Sequence, residues 1–166
     1  MLISERTLRL FIENCRKRIS LSKLGKESQS ALARYAVALD HADWSVSFRE
    51  LWSLLEFLTD TEKNSFEPAV RRMSAMYQSY DYALEVAKHL RVRRNLHVHF
   101  SPEDADSEIL MGQTRQFVEP LLEFYIHNPF GLRSKAEVGG FMDLPRDKKD
   151  RRRLGHLLSS ADKFRS

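Results

Sequence analysis

The sequence predicts an all-α protein, and three observations support this fold class. Apolar residues recur at helical spacing along nearly the whole chain, whereas runs of alternating β-branched residues are few. Hydrophobic residues make up 42% and charged residues 30% of the 166 residues, with only six glycines and five prolines, which excludes collagenous and wholly disordered chains. The sequence has no Gly-rich phosphate loop and no strand-turn-helix unit, so the common nucleotide-binding enzyme folds are excluded.

The first three helices are predicted from their apolar stripes. The spacing predicts helices over about residues 5–19, 26–40 and 45–60, the third with Ser45 as its N-cap. Each helix has one face that can pack into a common core. In chain order, the apolar positions are Leu8, Phe11, Ile12, Cys15 and Ile19; Leu32, Tyr35, Ala36 and Leu39; and Phe48, Leu51, Trp52, Leu55 and Leu58.

The middle of the chain is predicted to contain two further helices and then a break. Asn64, with Glu67 three positions later, resembles a capping box and indicates a helix start. A fifth helix is predicted over about residues 79–94. Apolar and polar residues alternate over 96–100, as in a short extended segment, so we expect the fifth helix to break near His97.

Capping signals predict the helices of the last third of the chain. Ser101 followed by Pro102 is typical of an N-cap and a first helical residue, and it opens a long helix that Pro120 is expected to kink. Ser134, which precedes a glutamate by three positions, and Asp147 can each cap one more helix. We expect these two C-terminal helices to be short and to pack on the main bundle.

Charge and cysteine content limit the partners and the compartment. Lys and Arg number 27 against 23 Asp and Glu, a net charge of +4 that permits an anionic partner without requiring one. Cys15 is the only cysteine, so neither an intramolecular disulfide nor a Cys-based zinc site can form, and a cytoplasmic location fits best. Charged residues interrupt the apolar residues near the start, so we expect no signal peptide, no membrane span and no membrane partner.

One segment of the chain concentrates cations and imidazoles. Residues 88–99, named here the basic segment, contain no carboxylate. Its charged and titratable residues are Lys88, His89, Arg91, Arg93, Arg94, His97 and His99. The segment could bind phosphate or could be the solvated basic face of a helix, and the sequence leaves both possibilities open.

The basic segment also carries a family resemblance. Arg94 and Asn95, followed by three residues and then His99, resemble the Arg-x4-6-His motif of the HEPN superfamily, whose members are largely RNA-cutting proteins. Residues 47–58 are similar to the second-helix signature of Apea-like HEPN proteins, in which an aromatic-rich helix ends with a Leu-Glu pair. Glu56 is the glutamate of that pair here. The resemblance implies an up-and-down helical bundle.

The resemblance covers the middle of the chain and has two departures. It spans about residues 26–128, preceded by an N-terminal helix and loop over 1–25 and followed by a short helical, basic extension over 129–166. Family members often have glycine after the motif histidine, where this chain has Phe100. HEPN toxins controlled by nucleotidyltransferase antitoxins carry tyrosine at the next position, where this chain has Ser101.

The resemblance implies a metal-independent endoribonuclease without cofactors, in which the 2′-hydroxyl of RNA attacks its own phosphate. His99 would carry a proton, Arg94 would stabilise the charge of the transition state, and Asn95 would orient either group. Glu56 would act near Arg94, although a structural glutamate at the rim of the bundle is an equal alternative. The other basic-segment residues expected to bind RNA are Lys88, Arg91, Arg93 and His97.

The predicted break has a geometric role. On an unbroken helix Arg94 and His99 would lie about 140° apart, so we expect the break to bring them together. One copy supplies a single histidine at the motif position, and HEPN nucleases pair two copies around a shared cleft. We therefore expect a homodimer, acting as a toxin or antiviral defence effector with a possible inhibitor or partner subunit.

Several alternatives stay open. A catalytically silent HEPN module could bind RNA, a nucleotide or a protein partner, and a plain helical interaction domain is a third possibility. His97 and His99 would point the same way on an extended segment and could hold a metal, although we expect none. Arg151 and His156 form a second match to the motif but lack its helical context. The basic run at 148–153 could bind an RNA backbone or be a solvated face.

Overall fold

Helices make up the architecture. The computed structural model describes residues 5–62, 66–99 and 106–165, and these contain eight helices and no strand, which confirms the all-α prediction. The helices are α1 (Glu5–Leu21), α2 (Gly25–Asp40), α3 (Trp44–Leu58), α4 (Phe66–Ser74), α5 (Tyr80–His99), α6 (Ser107–His127), α7 (Lys135–Met142) and α8 (Lys148–Arg165).

Helix α3 is the centre of the core. It packs between α2 and α6, and its predicted apolar stripe is buried. Phe48 and Trp52 are fully buried and are among the largest such side chains in the described part of the chain. Burying a large aromatic side chain stabilises a fold by about 1.5–3 kcal/mol, so this helix contributes much of the hydrophobic stabilisation.

Helices α3 and α6 run parallel to one another. Their first turns meet where the hydroxyls of Ser45 and Ser107 lie 2.9 Å apart. Their far ends meet where the buried hydroxyl of Tyr125 donates to the carbonyl oxygen of Leu58 at 2.8 Å. Contacts at both ends fix the direction of the two helices and their relative translation.

Helix α5 runs antiparallel to α6. Just before α5 begins, the hydroxyl of Tyr77 donates to the carbonyl oxygen of Gln116, halfway along α6, at 2.6 Å. Near the other end of α5, Arg93 pairs with Asp106 at the start of α6, with 3.5 Å between Nη2 and Oδ2. The end of α5 therefore lies beside the starts of α3 and α6, and we name this part of the molecule the upper end of the bundle.

Three of the predicted caps can be compared with the structure. Ser134 Oγ accepts from the backbone N–H of Glu137, and Asp147 Oδ1 accepts from N–H groups in the first turn of α8, which confirms both C-terminal caps. Ser45 as the cap of α3 is wrong, because Asp43 accepts there from the N–H groups of residues 45 and 46. The Ser45 hydroxyl makes the contact with α6 instead.

Helix α5 does not break where the sequence predicted. The break near His97, and an extended conformation for residues 96–99, are wrong because the backbone is helical through His99. An alternation of a few residues is too short to distinguish a strand from a helix. The predicted caps Asn64 and Ser101 lie outside the described residues.

Arg72 joins α4 to the end of α3 and to α7. Its Nη1 donates to the carbonyl oxygens of Thr59 at 2.7 Å and Asp60 at 3.1 Å, and its Nη2 lies 2.7 Å from Oδ2 of Asp143, which follows α7. The hydrogen bonds from Arg72, with a further one from Arg71, hold the pKa of Asp143 below its usual range. The guanidinium of Arg72 thus bonds to carbonyl oxygens at the end of α3 and to the carboxylate that follows α7.

Gly139 on α7 allows this contact, and its substitution tests it. A Cβ at Gly139 would lie 2.6 Å from Nη1 of Arg72, whereas a Cβ at Gly140 would meet nothing within 4 Å. Gly139→Ala is expected to lower the free energy of unfolding by about 1–3 kcal/mol, because the bonded guanidinium must shift. Gly140→Ala, the matched control, should raise it by about 1 kcal/mol through helix propensity. Urea denaturation measures both, and equal effects would show that Arg72 moves freely.

The two C-terminal helices differ in how they pack. Val138 and Met142 of α7 are buried in the core, whereas α8 has no buried residue. Helix α8 has 18 residues, which makes it longer than the short helix we predicted. In the described part of the chain, no helix combines the length and apolar character needed to cross a membrane.

Candidate functional site

The unbroken helix α5 determines how the basic segment is arranged. Lys88, Arg91, Asn95 and His99 are spaced by three, four and four residues, so their backbone positions form a single stripe along the helix. Arg94 lies on a different side of α5, in line with the buried Leu90. One copy of the helix therefore carries two sets of candidate residues on two sides.

The predicted approach of Arg94 to His99 within one chain does not occur on this backbone. A five-residue step along a continuous helix separates the two positions by about 140° and about 7.5 Å. We expected a break in α5 to bring the two residues together, but the helix is unbroken there. His97 lies only about 60° from Arg94 around the axis, so it is the nearer of the two histidine positions in angle.

Arg94 and Asn95 are in contact. Both are half-buried, and Nη1 of Arg94 lies 3.4 Å from Oδ1 of Asn95. This distance is longer than that of a typical N–H···O hydrogen bond, so the contact orients the guanidinium only weakly. These two of the four residues to which we assigned catalytic roles are neighbours in sequence, so their contact does not depend on the fold.

The other cations of the basic segment have carboxylate partners. Arg91 donates to Glu67 at 3.1 Å, and Lys88 donates to Glu85 at 2.7 Å. Arg93 pairs with Asp106 at the upper end. The hydrogen bond with Glu85 raises the pKa of Lys88. Exposed ion pairs contribute only about 0–1 kcal/mol to stability, so a phosphate could displace these carboxylates. The same ion pairs are also consistent with a purely structural role for the cations.

Glu56 lies away from the upper end. Its carboxylate accepts a hydrogen bond from the indole N–H of the buried Trp52 at 2.8 Å. Glu56 is eleven residues beyond Ser45 in α3, which corresponds to about 16 Å along the helix axis. The structure therefore does not bring Glu56 to Arg94, and the alternative of a structural glutamate fits its contacts.

The possible metal site at His97 and His99 required an extended backbone, and the backbone there is helical. On a helix, positions two apart are separated by about 200° around the axis, so the two backbone positions lie on nearly opposite sides of α5 instead of side by side as on a strand. Elsewhere among the residues for which side chains are described, no three His, Cys, Asp or Glu side chains form a group that could hold a metal.

Comparison with known proteins provides no function for this chain, so a function can be argued only from its own residues. No family model, no curated protein and no solved structure matches this chain. The HEPN resemblance consequently rests on the motif at Arg94, Asn95 and His99 and on the helix that contains Glu56.

Sequence reasoning missed an arginine-lined cleft beside α7 and α8. Its volume is about 500 Å³, most of its lining is apolar, and Arg71, Arg146 and Arg151 are among the residues that line it. The Arg146 guanidinium stacks over the ring of Tyr80 at 4.2 Å, and Arg71 bonds to Asp143. No local pattern could have found this cleft, because its residues come from four separate helices and two connecting loops.

Proposed function

We propose that the end of α5 is the RNA-cleaving site of a metal-independent, HEPN-type endoribonuclease that works as a homodimer. The observation that carries the proposal is the stripe of Lys88, Arg91, Asn95 and His99 on a continuous helix, with Arg94 in contact with Asn95. A stripe of this kind can follow an RNA backbone and present a proton carrier at its end.

The chemistry that cleavage needs matches these residue types. The 2′-hydroxyl loses its proton and attacks the adjacent phosphorus, the bond to the 5′-oxygen breaks, and that oxygen gains a proton. Histidine titrates near neutral pH and can perform either transfer. Arginine stays charged and offers a planar pair of donors to the phosphate oxygens as negative charge develops.

The separation of Arg94 from His99 supports a site made by two copies. A two-fold axis near the upper end would place Arg94 of one copy beside His99 of its partner, which a single straight helix cannot do. The shared cleft would then contain two histidines, one for each proton transfer. The arginines of the two copies would repel one another, and the phosphate of the substrate would reduce that repulsion.

Chelation tests the proposed reaction. Purified protein incubated with total RNA and EDTA is expected to cut the RNA as fast as it does without EDTA, because the protons move between histidines and RNA oxygens. The products should end in a 2′,3′-cyclic phosphate or a 3′-phosphate, which mass spectrometry of short fragments identifies. Loss of cleavage in EDTA that zinc or manganese restores would replace this mechanism with a metal-dependent one.

A silent module is the second candidate function. The ion pairs of Arg91 with Glu67 and of Arg93 with Asp106 can be explained without a substrate, and Phe100 occupies the position where family members often have glycine. Such a protein would bind RNA, a nucleotide or a protein partner without cutting. It would give RNA binding without products in the chelation experiment. Under either function, we propose a cytoplasmic effector in toxin or antiviral defence that a partner subunit or inhibitor controls.

A further inference from the structure

Helix α8 has an apolar face that covers nothing in the described structure. No residue of α8 is buried, and Leu157, Leu158 and Phe164 are 57%, 59% and 92% exposed. The helical spacing places five apolar positions on one side. They are Leu154, Leu157, Leu158, Ala161 and Phe164.

The same helix carries the positive charge of the protein. Helix α8 has seven Lys and Arg and two Asp residues, a net charge of +5, so the rest of the chain, with +4 overall, has a net charge of −1. Arg153 borders the apolar face, and Lys149 and Arg152 lie on the opposite side. The side chains of these three residues make no ion pair with the described residues, in contrast to the cations of α5.

The start of α8 is held by the loop that precedes it. Asp147 caps the helix, and Arg151 donates to the carbonyl oxygen of Pro145 at 2.8 Å. The rest of the helix, from residue 152 onward, extends from this fixed turn with both faces exposed to solvent. Helix α8 is therefore an amphipathic helix without a buried residue.

We propose that α8 lies on an anionic lipid surface. RNA would neutralise the basic residues but leave Leu157, Leu158 and Phe164 in water. A second copy could cover the apolar face but would bring two helices of net charge +5 together. An anionic bilayer surface accepts both, because apolar side chains enter the acyl boundary while Lys and Arg remain among the headgroups.

The proposal is independent of RNA cleavage and compatible with the described helices. A helix that lies in the membrane interface needs an apolar face and flanking cations, and it needs no spanning length. Our expectation that the protein has no membrane partner was drawn from spanning segments, and it does not address attachment to a surface.

Vesicle binding tests this inference. The full chain, without RNA, is sedimented with vesicles of phosphatidylcholine alone or with about 30% phosphatidylglycerol, and we expect at least about 100-fold tighter binding to the anionic vesicles. Arg152→Glu with Arg153→Glu should weaken that binding by at least about 25-fold. Leu157→Glu with Leu158→Glu should weaken it by at least about tenfold. All four side chains are exposed, so the fold should survive both changes.

Matched controls use exposed residues of the other surfaces. Val37→Glu on α2, where the side chain is 57% exposed, and Lys23→Glu with Lys26→Glu should leave vesicle binding within about twofold. Equal affinity for neutral and anionic vesicles, or RNA binding that depends on Arg152 and Arg153 without any vesicle binding, would overturn the proposal. A dimer that dissociates in the Leu157 and Leu158 variant, again without vesicle binding, would assign the apolar face to a second copy.

Discussion

Alanine at His99 or at Arg94 is expected to lower the rate of RNA cleavage by about 10²–10⁴-fold at saturating RNA. His99→Ala removes a proton carrier, and Arg94→Ala removes the cation that stabilises the developing charge. RNA affinity should change little in His99→Ala, since the rest of the stripe remains. Single-turnover cleavage of a labelled RNA, together with a filter-binding measurement, separates the two effects.

Three substitutions serve as controls for this result. Arg151→Ala and His156→Ala, at the second match to the motif, should leave the single-turnover rate within about threefold, as should Glu56→Gln at the far end of α3. Equal losses at Arg151 and His156 would transfer the site to α8. Mixing His99→Ala protein with wild type should lower activity below simple dilution, and linear dilution would exclude a site shared between two copies.

Arg72→Met is expected to lower the free energy of unfolding by about 2–4 kcal/mol. The Arg72 side chain is only 14% exposed, and its removal leaves the carbonyl oxygens of Thr59 and Asp60 without a donor and leaves Asp143 with a weaker partner. Methionine keeps most of the side-chain length, so the loss reports mainly the hydrogen bonds. Urea denaturation followed by circular dichroism measures it.

Arg71 provides the matched control for Arg72. It is the adjacent residue, its side chain is 50% exposed, and it donates to the other oxygen of Asp143 at 2.9 Å. Arg71→Met should cost no more than about 1 kcal/mol, because exposed ion pairs contribute little. If the two variants lost the same stability, the carbonyl contacts of Arg72 would be unimportant and Asp143 alone would account for both effects.

The sequence predicted the helices better than their ends. Apolar stripes identified α1, α2 and α3 as helices because periodicity is local information. The burial of those stripes was predicted correctly only for α3, since Phe11 and Ile12 of α1 and Leu39 of α2 are exposed. Asp43 and Ser45 are both residue types that cap helices well. Asp43 is the N-cap of α3, while the Ser45 hydroxyl contacts Ser107 of α6, a contact that no local pattern contains. The end of α5 was mispredicted because its last few residues alternate in polarity.

The parts of the candidate site that lie within one helix could be predicted from the sequence, but the distances between helices could not. Trp52 and Glu56 are four residues apart on α3 and share a hydrogen bond, which fits the alternative of a structural glutamate. Their distance from Arg94 depends on the direction in which α5 packs against its neighbours, and no local pattern contains that information. The basic segment was found because its charges are consecutive, whereas the cleft at Arg71, Arg146 and Arg151 is assembled from distant parts of the chain.

The parallel pairing of α3 with α6 makes folding depend on late contacts. The hydrogen bonds that join the two helices connect residues 62 and 67 positions apart in sequence, with the whole of α4 and α5 between them. Closing a loop of that length must precede the burial that rewards it, which slows folding relative to bundles of sequential neighbours. During synthesis, the face of α3 that packs on α6 therefore stays uncovered until α6 has left the ribosome, and we expect chaperones to bind it in that interval.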